Sequence, residues 1–305
     1  MRDATAGDPI SGLKWTHKSL RTVARELGRQ GLRVSAPTVA RLLRESDYAL
    51  RVNRKKLAGK QSPGRDEQFL YIAERRAAFL QHKRPVISVD TKKRELVGRF
   101  KQPGRQWRRT PHDVLIYDFR SDASGVAIPY GIYDVGRNQG FVVIGLSHDT
   151  SEFAVAAIRS WWVKVGRQVY PEQTELLIEA DCGGSNGNRC WAWKAWLQDF
   201  ADECDLTITV THYPTGASKW NPIEHRCFNL LSGNWAGQPL ESYETMLKHI
   251  RMTRSSTGFR CQARLDKKVY ATGVKISPEE IARLRIEKHE VFPHWNYTIR
   301  PRLKP

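Results

Sequence analysis

Short runs of β-branched and aromatic residues recur along the middle of the chain, and segments with helical spacing of apolar residues separate them. Such runs are typical of buried strands, because these side chains fit a pleated surface. Five runs predict the strands of one sheet, at 85–90, 125–134, 140–147, 175–180 and 206–210. A shorter run at 96–100 precedes the second strand. The chain is therefore expected to be built around a sheet.

Helical periodicity predicts helices at 67–81, 150–165, 188–203 and 222–231. The first is expected to bury a face made of Phe69, Leu70, Ile72, Ala73, Ala77 and Leu80. The third is expected to bury Trp191, Ala195, Leu197 and Phe200. The order is three strands, a helix, a strand, a helix, a strand and a helix. It predicts an α/β fold with a ribonuclease-H-like (retroviral-integrase-type) mixed sheet flanked by helices.

Two short helices are predicted ahead of the sheet. Their apolar stripes are Leu20, Val23, Ala24 and Leu27, and then Val39, Leu42 and Leu43. Gly31 lies between the helices, Ser35 can cap the second one, and Pro37 fits its first turn. This pattern predicts an N-terminal helix-turn-helix that presents Thr38, Arg41 and Arg44 to DNA. The alternative is an ordinary helix pair with solvated arginines.

Composition divides the chain into four predicted parts. Residues 1–50 carry the helix-turn-helix, and 51–66 form a basic, turn-rich linker. Residues 67–240 form the catalytic domain, and 241–305 are interpreted as a C-terminal extension packed on it. Basic linkers follow DNA backbone, so the linker residues Arg54, Lys55 and Lys56 are also predicted to contact DNA.

The charge of the chain indicates a polyanionic partner. The 305 residues carry a formal charge of +18, and the isoelectric point is about 9.9. Phosphates would supply the missing counter-charge. Residues 1–84 hold 19 lysines and arginines against 8 aspartates and glutamates, so most of the excess lies near the N-terminus. This concentration favours a separate DNA-docking element upstream of the sheet.

The sequence indicates neither a membrane or secreted protein nor a protein stabilised by disulfides or a structural zinc ion. No run approaches the roughly 18 apolar residues of a membrane span, and the first residues lack the apolar core of a signal peptide. The five cysteines are odd in number and form no Cys-x-x-Cys pair, so neither a disulfide framework nor a structural zinc site is predicted. A soluble, cytosolic, nucleoid-associated protein with reduced thiols and no membrane partner is expected.

Three acidic residues stand at the ends of predicted elements. Asp90 ends the first strand, and Asp181 follows the fourth. Glu224 lies in the first turn of the helix that Asn221-Pro222 begins. A carboxylate at a buried strand end is costly unless it is paired, hydrogen-bonded or metal-bound. We predict that Asp90, Asp181 and Glu224 are the catalytic and metal-binding residues.

The ligand type predicts the cofactor. Carboxylate oxygens are hard ligands that suit Mg²⁺ or Mn²⁺. Three carboxylates can hold two ions about 3.5–4 Å apart, which clamp the attacking and leaving oxygens of an in-line phosphoryl transfer. The expected cofactor is therefore Mg²⁺ or Mn²⁺, as two ions.

Each of these carboxylates also has a structural interpretation. Asp90 could accept hydrogen bonds in a turn, Asp181 could form an Asx-turn with Gly183, and Glu224 could complement a helix dipole. Their joint order, spacing and basic surroundings favour the metal site. The other acids nearby, Asp134, Asp149 and Glu179, are predicted to be structural. Asp149 is expected to cap a helix, and Glu179 is expected on the opposite face of the sheet.

Basic and aromatic residues near the acids predict contacts with DNA. Gly183, Gly184 and Gly187 would let a DNA backbone approach Asp181 closely. Lys92, Lys93 and Lys219 are predicted to neutralise phosphates. Most of the ten tryptophans are expected in the core, and the candidates for stacking on bases are Trp107 and Trp220.

Three segments resemble the signature blocks of a known family. They are SVDTKKRELVG at 88–98, ADCGGSNGNR at 180–189 and SKWNPIEHR at 218–226. They are similar to those of the Rhodopirellula-type DDE transposases, the ISAzo group of bacterial insertion sequences, as are the 15–39 region and WNYTI at 295–299. The resemblance implies a Mg²⁺-dependent transposase with Asp90, Asp181 and Glu224 as its triad. Members usually carry more residues ahead of the helix pair, so an N-terminally truncated copy is expected.

Three function classes remain open at this point. A transposase would cleave phosphodiesters at the element ends and join the freed 3′-hydroxyl to target DNA. A nuclease of the same fold would cleave without strand transfer, and an inactive relic would only bind DNA. The intact triad favours an enzyme over the relic. The expected partners are double-stranded DNA, as terminal inverted repeats and target, and further copies of the chain in a homo-oligomer on DNA.

Overall fold

The computed structural model describes residues 5–7, 14–16, 19–50 and 63–302. The chain divides into two compact units, Met1–Leu57 and Ala58–Pro305. In the described part of the chain, no helix is long and apolar enough to cross a membrane. The five cysteines are free thiols.

The first unit contains a strand pair and a helix pair. Strands β1 (Thr5–Gly7) and β2 (Lys14–Thr16) are antiparallel. Helices α1 (Leu20–Arg29) and α2 (Ala36–Glu45) follow, with the turn between them at Gly31, whose φ of +85° favours glycine. Each helix has a serine N-cap, and Ser35 accepts from the Thr38 backbone N–H at 3.3 Å. Both predicted helices are thus confirmed.

The second unit is built on one sheet of nine strands among the described residues. Its strands are β3 (Val86–Thr91), β4 (Glu95–Val97), β5 (Gly125–Asp134), β6 (Gln139–Gly145), β7 (Glu175–Ala180), β8 (Thr207–His212), β9 (Arg260–Asp266), β10 (Ile286–Lys288) and β11 (Asn296–Ile299). Their order across the sheet is β10-β11-β8-β7-β3-β5-β6-β9, and β4 pairs with β5. All five predicted strands are present.

The five central strands identify the fold. Strand β5 is antiparallel to both β3 and β6, whereas β7 is parallel to β3 and β8 is parallel to β7. Two parallel strands thus continue an antiparallel meander, with helical crossovers before β7 and β8. This is the ribonuclease-H-like arrangement, and the predicted fold class is confirmed.

The C-terminal residues extend this sheet at both edges. Strand β9 lies parallel to β6 at one edge. At the other edge β11 is antiparallel to β8, and β10 is antiparallel to β11. The segment after residue 240 therefore contributes strands to the sheet, besides helix α8 (Tyr243–Met252) and helix α9 (Pro278–Ala282).

Helices cover both faces of the sheet. On one face lie α4 (Ser151–Trp161) and α6 (Trp191–Cys204), whose Phe153, Trp161, Trp193 and Phe200 are fully buried. A π-helical turn, Trp162–Gly166, and the short α5 (Arg167–Val169) continue α4. On the other face lie α3 (Arg65–Gln81), α7 (Asn229–Asn234) and α8. The core consists of these two apolar layers.

Helix α3 buries a different face from the predicted one. Leu70, Ala73, Ala77 and Leu80 are exposed, and the residues that the helix buries are Gln68, Tyr71, Ile72 and Phe79. The prediction was wrong because two polar side chains help to dock the helix. Gln68 Nε2 donates to Asn296 Oδ1 at 2.8 Å, and Arg76 forks onto the buried Glu179. A hydrophobicity pattern assigns such residues to solvent.

A similar correction applies to α6. Trp191 was predicted to be buried but is 41% exposed, whereas Trp193 is completely buried. The Trp193 Nε1–H donates to the Tyr297 hydroxyl at 2.9 Å. Helix α6 begins at Trp191, so the first turn lies at the rim of the core. Leu197 and Phe200 are buried as predicted.

Candidate active site

The carboxyl ends of β3, β6 and β7 meet at the same edge of the sheet, because these three strands run in one direction. Asp90 lies in the last two residues of β3, and Asp181 directly follows β7. Asp149 follows β6 by four residues. Chain direction alone therefore places three aspartates from distant parts of the sequence at one edge. Ligand sites are favoured at such edges.

Asp90 sits in a strand end that satisfies one of its oxygens locally. The Thr91 backbone N–H donates to Asp90 Oδ1 at 2.7 Å. Asp90 lines a recess together with Asp149 and Asp181. Burial raises the pKa of Asp90 well above its ordinary value, and the charges of Asp181 and Glu224 raise it further.

Asp181 carries an unsatisfied oxygen. Its Oδ1 atom is buried and has no hydrogen-bond partner among the residues that the structure describes. Burial raises the pKa of Asp181, the Gly183 backbone N–H opposes that rise, and Glu224 and Asp149 add to it. A buried, unpaired carboxylate oxygen is costly unless a cation binds it.

Glu224 reaches the same place from the helix that follows β8. Residues 222–223 are helical, and the π-helical turn Glu224–Phe228 then leads into α7. The predicted helix is therefore present, with one π-helical turn in it. π-turns inside helices occur often at functional sites, where the extra residue re-aims a side chain.

Two buried polar residues fix the start of this helix on β3. Asn221 Nδ2 donates to the Val89 carbonyl at 3.0 Å, and the Ser88 hydroxyl donates to Asn221 Oδ1. The Ile223 backbone N–H donates to Ser88 Oγ at 2.9 Å. Because Ser88 lies two residues before Asp90, these bonds bring Glu224 over the Asp90 carboxylate. The signature strings at 88–98 and 218–226 therefore meet in space.

The donor set fits a hard divalent cation. Asp90, Asp181 and Glu224 offer only oxygen atoms, and Asp181 Oδ1 lacks any partner in the described structure. Among the described residues, no group of three His, Cys, Asp or Glu side chains has metal-binding geometry in the conformation of the structure.

Asp149 is a fourth carboxylate that the prediction missed. Its assignment as a helix cap was wrong, because Thr150 caps α4 by accepting from the Phe153 backbone N–H at 3.2 Å. Asp149 Oδ1 instead accepts from Thr91 Oγ1 at 3.1 Å. Asp149 lines a recess of about 260 Å³ together with Asp90 and Asp181. Its position after a strand parallel to β3 was the signal that could have identified it.

The two remaining acids lie elsewhere. Glu179 is fully buried on the opposite face of the sheet, where Arg76 pairs with it at 2.6 Å and the Tyr213 hydroxyl donates at 3.2 Å. Asp134 lies at the other end of the sheet and accepts from the Tyr170 hydroxyl at 2.8 Å. Neither belongs to the carboxylate site.

A buried chain of hydrogen bonds supports the strand end beneath Asp181. Burial lowers the pKa of His212 to about 4, so its ring is neutral at neutral pH. The neutral ring donates from Nδ1 to the Asp181 carbonyl at 2.8 Å and accepts at Nε2 from the Tyr297 hydroxyl at 3.2 Å. Tyr297 in turn accepts from Trp193. The histidine lies on β8 and the tyrosine on β11, and no local pattern predicted that they meet.

A basic groove adjoins the acids. The groove measures about 530 Å³, and its lining includes Lys93, Lys219, Glu224, His225 and Asn229. Lys93 and Lys219 are exposed. Lys92, which was predicted to neutralise phosphate, is largely buried instead. It pairs with Glu95 at 2.7 Å and lies 4.8 Å from the centre of the Trp235 ring. Its charge is therefore already compensated within the protein.

Trp220 lies beside this groove. It is 54% exposed, and Lys219 Nζ lies 5.3 Å from the centre of its ring. The ring edge of Phe69 supports it from α3 at a centroid distance of 6.2 Å. A partly exposed, supported ring of this kind can stack on a base.

The other predicted DNA-binding residues belong to the first unit or lie outside the described residues. Arg41 and Arg44 are exposed on α2, and Arg41 pairs with Glu45 at 2.7 Å. The Thr38 hydroxyl is bonded to that of Ser35 at 2.8 Å. The predicted linker residues Arg54, Lys55 and Lys56 lie outside the described residues.

Comparisons with solved structures return distant likenesses. The chain is similar to the "Mos1 transposase paired-end complex with left transposon end", with 16% identity over 76% of this chain and 65% of that chain and a TM-score of 0.42. It is similar to the "Crystal structure of the Mos1 mariner paired end complex with Mn", with 16% identity, the same coverages and a TM-score of 0.44. This chain thus spans less than two thirds of those proteins. The strand order, and not these likenesses, identifies the fold.

Comparison with protein families gives a direct match. No curated protein matches the chain. The family model described as "Rhodopirellula transposase DDE domain" matches residues 1–301. This match confirms the resemblance carried by the three signature strings. Since it extends over nearly the whole chain, the protein belongs to the Rhodopirellula transposase DDE domain family.

Proposed function

We propose that this protein is a DNA transposase that cleaves phosphodiester bonds at the ends of an insertion sequence and joins the freed 3′-hydroxyl to target DNA. The observation that carries the proposal is the meeting of Asp90, Asp181 and Glu224 beside a basic groove, with Asp181 Oδ1 buried and unpaired among the described residues. A site that both cuts and joins uses the same in-line displacement twice, with water and then the 3′-hydroxyl as nucleophile.

We propose that Asp90, Asp181 and Glu224 hold Mg²⁺ or Mn²⁺, as two ions. Bound there, the ions would supply Lewis-acid stabilisation of the charge that develops on the phosphate oxygens. The protein contributes the orientation of the three carboxylates. The Ser88–Asn221 clamp holds Glu224 over Asp90, and the His212 ring holds the Asp181 backbone. Positioning of this kind is the main protein contribution to phosphoryl transfer.

The surroundings of the carboxylates suit the DNA backbone. Lys93 and Lys219 are exposed cations that can offset phosphate charge. Gly184 has a φ of +61°, and a Cβ built on it would meet no atom within 4 Å. The loop after Asp181 is therefore open at Gly184. Trp220 is proposed to stack on a base next to the cleaved bond.

We assign recognition of the element ends to the first unit. Thr38, Arg41 and Arg44 on α2 are proposed to contact DNA, with Arg54, Lys55 and Lys56 following its backbone. In this scheme residues 1–50 recognise DNA, 51–66 connect, 67–240 catalyse and 241–305 support the catalytic sheet. The partners are then the terminal inverted repeats, the target DNA and further copies of the chain assembled on them. Action on chromosomal DNA in a bacterial cell would place the protein in the cytoplasm, at the nucleoid.

A nuclease without strand transfer is the second candidate, because the same carboxylates serve both reactions. A joining assay separates the two. Purified protein is incubated with Mg²⁺, a supercoiled plasmid and a pre-cleaved duplex that carries the element's terminal sequence and a free 3′-hydroxyl. Covalent joining of duplex to plasmid, lost in Asp181→Asn, is the expected result. Cleavage of an uncut end without any joining would identify a nuclease and overturn the transposase proposal.

A further inference from the structure

The connection between β4 and β5 contains a strongly basic segment, of which only Trp107 was given a predicted role above, as a candidate for stacking on bases. Between Arg99 and His112 it has five lysines and arginines and no acidic residue. Every residue from 103 to 113 is exposed. Residues 99–112 are called the arm below. A run of exposed like charges repels itself unless a partner of opposite charge binds it.

Backbone contacts hold the base of the arm in place. The Gly237 N–H donates to the Pro103 carbonyl at 2.8 Å, and the Leu115 N–H donates to the Arg99 carbonyl at 2.8 Å. Gly104 has a φ of +105°, and a Cβ on it would lie 2.5 Å from the Ala236 Cβ, so only glycine permits this approach. The arm thus projects from a defined point at the end of α7.

That point lies at the outer end of the basic groove. The groove follows one helical face through Glu224, Phe228 and Ser232. The helix ends at Asn234, and Ala236, against which the arm packs, lies in the turn that follows. From Glu224 to Asn234 the helix rises by roughly 15 Å at about 1.5 Å per residue. This length corresponds to about four base pairs of duplex DNA at about 3.4 Å each.

The arm offers groups that suit a DNA backbone. Within the described structure, the side chains of Lys101, Arg105 and Arg109 make no hydrogen bond or ion pair, and Arg108 is held by Gln106 and Gln238. Trp107, in the middle of the cations, is fully exposed. A large exposed ring is unusual in the absence of a partner. Cations that flank an aromatic ring are typical of nucleic-acid surfaces.

We propose that the arm binds the backbone of duplex DNA about four base pairs from the cleaved phosphate, with Trp107 against the DNA. The inference rests on the proposed function, because the groove leads to the DNA that the carboxylates would cleave. A second copy of the chain is the competing occupant. Charge favours DNA, because two copies that each carry +18 repel one another, whereas phosphates attract the cations of the arm, of which only Arg99 pairs with an acid in the described part of the chain, Glu241 at 3.5 Å.

The first test measures salt dependence with the full chain. The probe is a fluorescein-labelled duplex of arbitrary sequence about three helical turns long. Replacing Arg105 and Arg109 by alanine should reduce the slope of log Kd against log salt by about 1.8, since each phosphate contact contributes about 0.9. If the variant and the wild type bind DNA equally at about 1 M salt, this slope change corresponds to about 30-fold weaker binding of the variant at about 0.15 M salt.

A matched control removes the same charge elsewhere. Lys164 and Arg167 are exposed near the end of the α4 segment, at the edge of the sheet opposite the carboxylates. Lys164→Ala with Arg167→Ala should leave the slope almost unchanged. Equal slopes for the arm variant and the wild type, or equal losses in arm and control variants, would overturn the proposal.

A crosslinking test identifies the occupant. Trp107 is replaced by the photoreactive p-benzoyl-phenylalanine, and the protein is irradiated with the same duplex. Crosslinking to DNA is the expected result. Crosslinking to a second copy of the chain, or to nothing, would overturn the proposal.

A cleavage assay on the same samples keeps the two proposals distinct. If the arm variant binds and cleaves like the wild type while Asp181→Asn abolishes cleavage, the arm inference fails and the proposed function stands. If Asp181→Asn cleaves normally, the proposed function itself fails.

Discussion

Replacing Asp90 by asparagine should stabilise the metal-free protein, and increasingly so as the pH rises. Asparagine keeps the size of the side chain and can still accept from the Thr91 N–H, which donates to Asp90 Oδ1 at 2.7 Å. It removes a buried negative charge that faces Asp181 and Glu224. Removing an uncompensated charge at such a site relieves both desolvation and repulsion.

The direction and the size of this change in stability follow from the linkage between proton binding and folding. Burial, with the neighbouring acids, raises the pKa of Asp90 to about 8. The folded state therefore binds the Asp90 proton more tightly than the unfolded state, and ionisation destabilises the fold between about pH 4 and pH 8. At about 1.4 kcal/mol per pH unit, the stability advantage of the variant should grow by about 4 kcal/mol between about pH 5 and pH 8. That gain corresponds to roughly 6 °C in Tm for a chain of this size.

The assay is thermal unfolding in EDTA across this pH range, followed at each pH for wild type and Asp90→Asn. His212 titrates in both proteins, so its effect cancels in the difference. Asp113→Asn, at an exposed position, is the matched control and should show a flat difference. A difference between Asp90→Asn and wild type that is flat from pH 5 to pH 8 would refute the reasoning about the site.

Saturating Mg²⁺ should narrow the stability advantage of Asp90→Asn. A ligand at about 100 times its Kd stabilises the folded state by about 2.7 kcal/mol, and only the wild type keeps the full ligand set. The wild type should therefore gain more in Tm from Mg²⁺ than Asp90→Asn gains at pH 8.

Three other predictions concern support, stability and docking. Tyr297→Phe leaves His212 Nε2 and Trp193 Nε1 without their hydrogen-bond partner, so the free energy of unfolding should fall by about 1–3 kcal/mol. Calorimetry should show roughly tenfold weaker Mn²⁺ binding. Unchanged Mn²⁺ affinity would make these hydrogen bonds purely structural. Arg76→Met leaves Glu179 buried without its ion-pair partner, so the free energy of unfolding measured in urea should fall by about 3–5 kcal/mol. Adding Glu179→Met should restore most of that loss. No recovery in the double variant would refute the pairing argument. Replacing Arg41 and Arg44 by alanine should lower the salt slope of DNA binding by about 1.8, and an unchanged slope would exclude α2 as a docking element.

Local sequence patterns predicted the centre of the fold well. The run at 175–180 coincides with β7, because a strand buried on both faces has apolar residues at nearly every position. The three acids could be singled out as candidates because Asp90 and Asp181 stand at strand ends and Glu224 lies in the first turn of a helix. The cap of α2 was readable for the same reason, since Ser35 and Pro37 act within one turn.

Contacts between distant residues were not predictable from such patterns. Gln68 and Arg76 are polar, and only their partners Asn296 and Glu179 explain why α3 turns them inward. Tyr297 lies 85 residues from His212 in the sequence, and Trp193 lies 104 residues from Tyr297. Asp149 required knowledge of the direction of β6 relative to β3. Each of these features depends on the assembled sheet and not on local periodicity.

The central claim is that Asp90, Asp181 and Glu224 jointly bind a divalent metal ion. Anomalous diffraction from crystals soaked in Mn²⁺ tests it most directly, because Mn²⁺ scatters anomalously and accepts the same oxygen ligands as Mg²⁺. We expect an anomalous difference density peak for Mn²⁺ about 2.2 Å from Asp181 Oδ1, with oxygens of Asp90 or Glu224 completing the site. A peak bound elsewhere, or none at the carboxylates at millimolar Mn²⁺, would contradict it.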